Sequence, residues 1–207
     1  MFSIASKLVG QRPSAARFAL AVQRCADQPL PSKARHRQRA QDDRLYFAIR
    51  SFGATGPRHI LQYAFADDRG NVVMSAFAEA GRPCRGGHDL AEEMLVAPLD
   101  PAAISHLVGR VCRDSNLVAF GRVLQAGLLP DETVHRAASV DCAWRRFLRV
   151  SRQRRLTFDR HQPLTLSDAL TVAGLPPLDS PDAAMRALAI RDLWMWMDSV
   201  DLEREGA

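Results

Sequence analysis

The chain has 207 residues, 47% hydrophobic and 25% charged, with no uninterrupted apolar run long enough to span a bilayer. That composition describes one globular domain with an extension and excludes a membrane span. The net charge of +5 comes from 26 Arg and 2 Lys against 23 acids, and it is uneven. Residues 1–44 carry +6, Arg145 to Arg160 carries seven arginines against Asp159, and Asp179 to Ala207 holds seven acids against three arginines. Cys25, Cys84, Cys112 and Cys142 lie far apart without a C-x-x-C pair, so neither a zinc ribbon nor a disulfide framework is indicated. Reduced thiols and a cytoplasmic protein are the expectation.

An amphipathic stretch from Phe2 to Ala26, a Pro29 to Ser32 turn and the basic run Lys33 to Arg39 make residues 1–44 a helix plus linker, ahead of a domain over 45–207. From Leu45 the pattern turns to short β-type runs: Leu45 to Ile49, Ile60 to Phe65 and Val72 to Phe77. Asp67 to Asn71 forms the hairpin turn between the last two, with Gly70 and Asn71 suited to positive φ. The first strand is expected at the centre, flanked by the other two. Asp100-Pro101 supplies a cap and an N1 proline for a helix carrying Ile104, Leu107, Val108, Val111 and Cys112 on one face. Next come a buried strand over Leu117 to Phe120, a short helical segment ending near Leu129-Pro130, a strand around Ala138 to Val140, and a helix from Asp141 through Val150. Thr165 and Asp168 begin a short helix that Gly174 stops. Ser180-Pro181-Asp182 caps a long last helix with Ala183, Ala187, Ile190, Trp194 and Met197 on one stripe. This order predicts an α/β or α+β layered fold with a mixed central sheet.

Several phrases carry a family likeness: Tyr46-Phe47-Ala48-Ile49 before Thr55-Gly56, Ile60 to Ala64 with Asp68-Arg69-Gly70-Asn71-Val72-Val73, Leu117 to Phe120, Val140-Asp141, and Leu164 to Leu170. Over roughly Leu45 to Asp198 the chain resembles the DnaQ-like DEDD 3′–5′ exonucleases, which implies a ribonuclease-H-like fold. In that family, carboxylates at the end of the first strand, in a following helix and in the last helix hold two divalent ions, and a histidine acts as base. Here the first-strand pair falls on Arg50 and Phe52, the second-segment acid on Gln125, and the last-helix His and Asp on Pro181 and Arg186. Without those carboxylates the ions have no ligands, and Arg50 and Arg186 oppose a dication. The resemblance therefore implies a pseudoenzyme with no catalytic residues, no metal and no cofactor.

Arginine at those positions suggests a groove that holds phosphate through Arg50 and Arg186; the plainer alternative pairs Arg50 with an acid such as Asp182. A second basic surface lies in Arg145, Arg146, Arg149, Arg152, Arg154 and Arg155. Arg145, Arg149 and Arg152 share a helical face if the helix reaches that far, and otherwise the cluster is a solvated face. The expected partner is single-stranded DNA or RNA, bound with little sequence preference. The alternatives are a protein partner held by the last helix and the N-terminal extension, or an active exonuclease with a relocated site; no membrane partner is expected. Cys84 to His88, the Trp194 to Met197 run and Gly53, Gly56, Gly86 and Gly87 match no catalytic or phosphate-loop pattern.

Overall fold

The computed structural model describes residues 44–52, 59–78, 99–156, 164–178 and 180–205. The amphipathic stretch and basic linker, Cys25, and the Cys84 to His88 loop lie outside them. The elements in chain order are β1 (Arg44–Phe52), β2 (His59–Asp67), β3 (Val72–Phe77), α1 (Pro101–Val111), β4 (Asn116–Ala119), α2 (Arg122–Ala126), α3 (Asp131–Arg136), β5 (Ser139–Cys142), α4 (Ala143–Arg154), α5 (Leu166–Val172) and α6 (Ala183–Glu205). They build a mixed α/β fold on one five-stranded sheet of order β3-β2-β1-β4-β5. Strands β1, β2 and β3 are antiparallel neighbours, while β4 and β5 run parallel to β1. The Val72 strand thus does not flank β1. It is the edge strand beyond β2, and β4 takes the other side of β1 after the chain crosses over through α1.

Both faces of the sheet are covered, which is why β1 reads as an unbroken apolar run rather than an alternation. Tyr46, Ala48, Ala64 and Ala66 face a core shared with Phe147 and Val150 of α4, Leu166 and Leu170 of α5, and Ala187, Ile190, Leu193 and Met197 of α6. Leu45, Phe47, Ile49, Phe65, Met74 and Ala76 face the opposite core with Ile104, Val108 and Cys112. Alanines on both sides, Ala48, Ala64 and Ala66 against Ala183 and Ala187, let α6 lie close on β1 and β2. On the other face the rings of Phe47 and Phe65 stack with centroids 5.7 Å apart.

The local signals act as their chemistry requires. Asp100 accepts from the Ala102 and Ala103 backbone N–H groups, and Pro101 opens α1. Thr165 and Asp168 form a reciprocal capping box, and Gly174 closes the turn after α5 at φ +71°. In the hairpin only Gly70 takes positive φ, at +82°, while Asn71 is held by the Asp67 carboxylate. Arg191 of α6 closes over that turn and donates to the Asp68 carbonyl from Nε at 2.9 Å and Nη2 at 2.7 Å. No helix of the described residues is long and apolar enough to cross a membrane.

Burial has a chemical consequence at Cys112, which is fully enclosed beneath α1 and whose thiol is pushed well above its ordinary range by desolvation. A buried thiol that stays protonated is a poor nucleophile. In native protein at neutral pH, Cys112 is expected to resist iodoacetamide and to be modified after half-buried Cys142. Peptide mass mapping over time checks this, and early labelling of Cys112 would contradict it.

Candidate anion-binding site

Along β1 the side chains of Tyr46, Ala48 and Arg50 alternate onto the α6 side of the sheet. Arg50 is paired across β1 and β2 with Gln62, immediately before a register shift between Arg50 and Ser51. Gln62 has no exposed surface, yet each polar end of its side chain is bonded. Its Nε2 donates to Ser75 Oγ at 3.1 Å and to Asp182 Oδ1 at 3.0 Å, and its Oε1 accepts from the Ala183 backbone N–H at 2.9 Å. One strand residue therefore pins the first turn of α6 to the sheet beside Arg50. Asp182 finishes that turn by accepting from the Ala184 N–H at 2.6 Å.

Arg186 stands one turn further along α6, on the same side of the helix as Asp182 and Ala183, and so beside Arg50. Burial, and then the positive charge of Arg50, lower the pKa of Arg186. Both guanidiniums nevertheless stay charged, because arginine does not lose its proton in the neutral range. Among the described residues neither has an ion-pair partner, and Arg50 Nη1 is shut off from solvent without any hydrogen bond. Asp182, the acid nearest in sequence to the pair, is bonded to Gln62 and Ala184 instead of to Arg50. Two like charges are thus held together in a desolvated place, an arrangement that favours an incoming anion.

Gln125 completes the end of β1. Pairing between β1 and β4 runs from Arg44↔Asn116 to Tyr46↔Val118 and then stops. Gln125 Oε1, from α2, accepts the Ile49 N–H at 2.7 Å. A neutral carboxamide therefore seals the strand end and adds no charge. The site lies at the carboxyl end of β1, the strand that pairs with β2 on one side and with the parallel β4 on the other. Phe52 is the last residue of β1, and Pro181 is exposed just ahead of the Asp182 cap. Gln125 thus bonds the strand next to Arg50, and Arg50 in turn lies near enough to Arg186 to lower its pKa. Gln62 was missed as a positioning residue, although a lone amide in the apolar run Ile60 to Phe65 was a readable signal.

The second cluster divides. Helix α4 extends to Arg154, so Arg145, Arg149 and Arg152 form one exposed stripe opposite the buried Ala143, Phe147 and Val150. Arg155 closes the helix at φ 54°, and Arg154 Nη2 donates to the Val200 carbonyl at 3.3 Å. Arg146 does not belong to the exposed stripe. It donates to Asp198 Oδ1 at 2.6 Å and Asp201 Oδ2 at 2.5 Å, and its guanidinium lies 4.5 Å from the Trp194 ring centroid. One residue's advance turns the helix by about 100°, which moves Arg146 from the solvent side to the α6 side. The basic stretch and the acidic C-terminal helix, far apart in sequence, are in contact here.

Among the described residues no three His, Cys, Asp or Glu side chains gather in a set able to hold a metal ion. Compared with known proteins, the chain matches no family model and no curated sequence.

Proposed function

We propose that this chain is a DnaQ-like domain of ribonuclease-H-like build in which arginine has replaced the metal-holding carboxylates, and that it binds nucleic-acid phosphate without metal-dependent cleavage. The observation that carries the reading is the Arg50 and Arg186 pair: two arginines near enough for one to lower the pKa of the other, neither with an ion-pair partner among the described residues, at the carboxyl end of the central strand. A phosphate oxygen accepting from both would relieve their repulsion and supply the acceptor that Arg50 Nη1 lacks. The strand order β3-β2-β1-β4-β5, with three antiparallel strands followed by two parallel to β1, supports the fold part of the reading. The exposed Arg145, Arg149 and Arg152 stripe supports a second contact to the backbone.

Fluorescence anisotropy of a labelled single-stranded oligonucleotide across a salt series tests this, with Mg²⁺ and Mn²⁺ present and strand length followed in the same tubes. Log affinity should fall with log salt at roughly −0.7 per phosphate contacted, with no shortening of the strand. Replacing Arg149 and Arg152 by Gln should flatten the slope by about one to two units, and replacing Arg50 and Arg186 by Gln should weaken binding at least tenfold. Binding that none of these replacements alters would sink the reading. A second reading, a protein-interaction module, draws on the exposed apolar Val123 and Leu124 of α2 and Met185 beside Arg186, whose accessibilities are 73%, 60% and 49%. Absence of nucleic-acid binding at low salt would favour it.

A further inference from the structure

We infer that the Arg50 and Arg186 pair is fitted to a phosphate monoester, the doubly charged end group of a nucleotide or of a phosphorylated strand, rather than to a phosphodiester within a continuous strand. The inference rests on the reading of this pair as an anion site and sharpens it. Its first support is charge. Both guanidiniums are cationic, neither is paired with a carboxylate among the described residues, and the nearby Gln62 and Gln125 are neutral. A diester carries one negative charge and would leave one desolvated cation unmatched. A monoester carries between about −1.5 and −2 at neutral pH and matches both.

The second support is access. Arg50 Nη1 has no contact with solvent and Arg186 is only partly exposed, whereas Arg145, Arg149 and Arg152 are exposed on α4. A backbone diester has a sugar on each side and lies along a surface, so it suits the exposed stripe. An end phosphate has one substituent and three free oxygens, and it can be inserted between two recessed guanidiniums, each offering a planar fork. The two basic surfaces therefore differ in the phosphate they suit: the α4 stripe takes the backbone, the strand-end pair a terminus.

The test compares one labelled single-stranded oligonucleotide in three forms, with a 5′-phosphate, with a 3′-phosphate and with hydroxyls at both ends, on the full chain, together with a nucleoside monophosphate as competitor. One phosphorylated form should bind at least tenfold tighter than the hydroxyl form. The monophosphate should erase that preference. R186Q should abolish it, R186K, which keeps the charge but loses the fork, should reduce it, and the R149Q/R152Q variant should retain it. Equal affinity of the three wild-type complexes would overturn the inference without needing any variant. If that equal binding still depended on Arg186, nucleic-acid binding would stand and the monoester assignment alone would fall. Arg186-dependent binding of the monophosphate with no oligonucleotide binding would uphold the monoester site and remove the nucleic-acid reading.

Discussion

Replacing Gln62 by leucine is expected to lower the unfolding free energy by about 2–4 kcal/mol, because it removes three hydrogen bonds from a fully buried side chain of similar volume. Leucine fills the space, so the loss reports bonding rather than a cavity. The Ala183 N–H is left without its acceptor at the first position of α6, and Asp182 Oδ1 keeps only the bond from Ala184. On the proposed reading oligonucleotide binding should weaken as well, since Arg186 stands one turn beyond the one Gln62 holds. Urea unfolding checks the first effect and oligonucleotide anisotropy the second. A stability within about 0.5 kcal/mol of wild type would mean that the turn is held by its alanine packing alone.

The second large effect is expected at Arg146, where replacement by methionine should cost about 1–3 kcal/mol. Two charge-assisted bonds and a cation–π contact are lost together, but the estimate stays moderate because Asp198 keeps its 3.4 Å ion pair with Arg44 and the Asp201 side chain, 44% exposed, becomes hydrated once freed. Burial alone would lower the pKa of Arg146, but the bonds it donates to Asp201 and Asp198 outweigh that and raise the value. A group raised on folding stabilises the protein at every pH below its unfolded value and loses that contribution only as pH climbs past the folded one. On the arginine side the effect is therefore constant through the neutral range. Arg149→Met, three residues away on the solvent stripe, should change stability by less than about 0.5 kcal/mol. Equal losses at the two positions, measured in the same urea series, would contradict the division of the cluster.

That division also marks what could be read in the chain beforehand. Elements with their own chemistry were legible: the Asp67 to Asn71 turn, the Asp100-Pro101 start, the Thr165 and Asp168 box, and the α6 stripe, whose Ala183, Ala187, Ile190, Trp194 and Met197 are all buried. Short elements were not. Helix α3 spans only Asp131–Arg136, has no side-chain cap and buries Thr133, so no apolar period announces it. Strand β5 is four residues of mixed polarity on the sheet edge, and its signal fell slightly early, around Ala138 to Val140. The place of β3 beyond β2, and of β4 beside β1, is decided by crossover and packing, which no local pattern encodes. At the candidate site the charge of Arg50 and Arg186 and the neutral amide of Gln125 were legible. Their bonding was not, because whether an arginine meets an aspartate depends on sub-ångström placement: Asp182 could serve Arg50 or cap α6, and it caps α6.

The most direct test of the central claim, that Arg50 and Arg186 are held together for an anion, is urea unfolding of wild-type protein and Arg186→Gln, each with and without a single-stranded oligonucleotide. Arg186 has its pKa lowered on folding by burial and by Arg50, so its charged form is disfavoured in the folded state throughout the neutral range. Removing the charge should therefore stabilise the free protein. Saturating oligonucleotide should then stabilise the wild type, by about 2.7 kcal/mol at a hundredfold excess over its dissociation constant, and the variant by much less. A variant less stable than wild type when free, together with a wild type that gains nothing from the oligonucleotide, would contradict the claim and make Arg186 a structural residue.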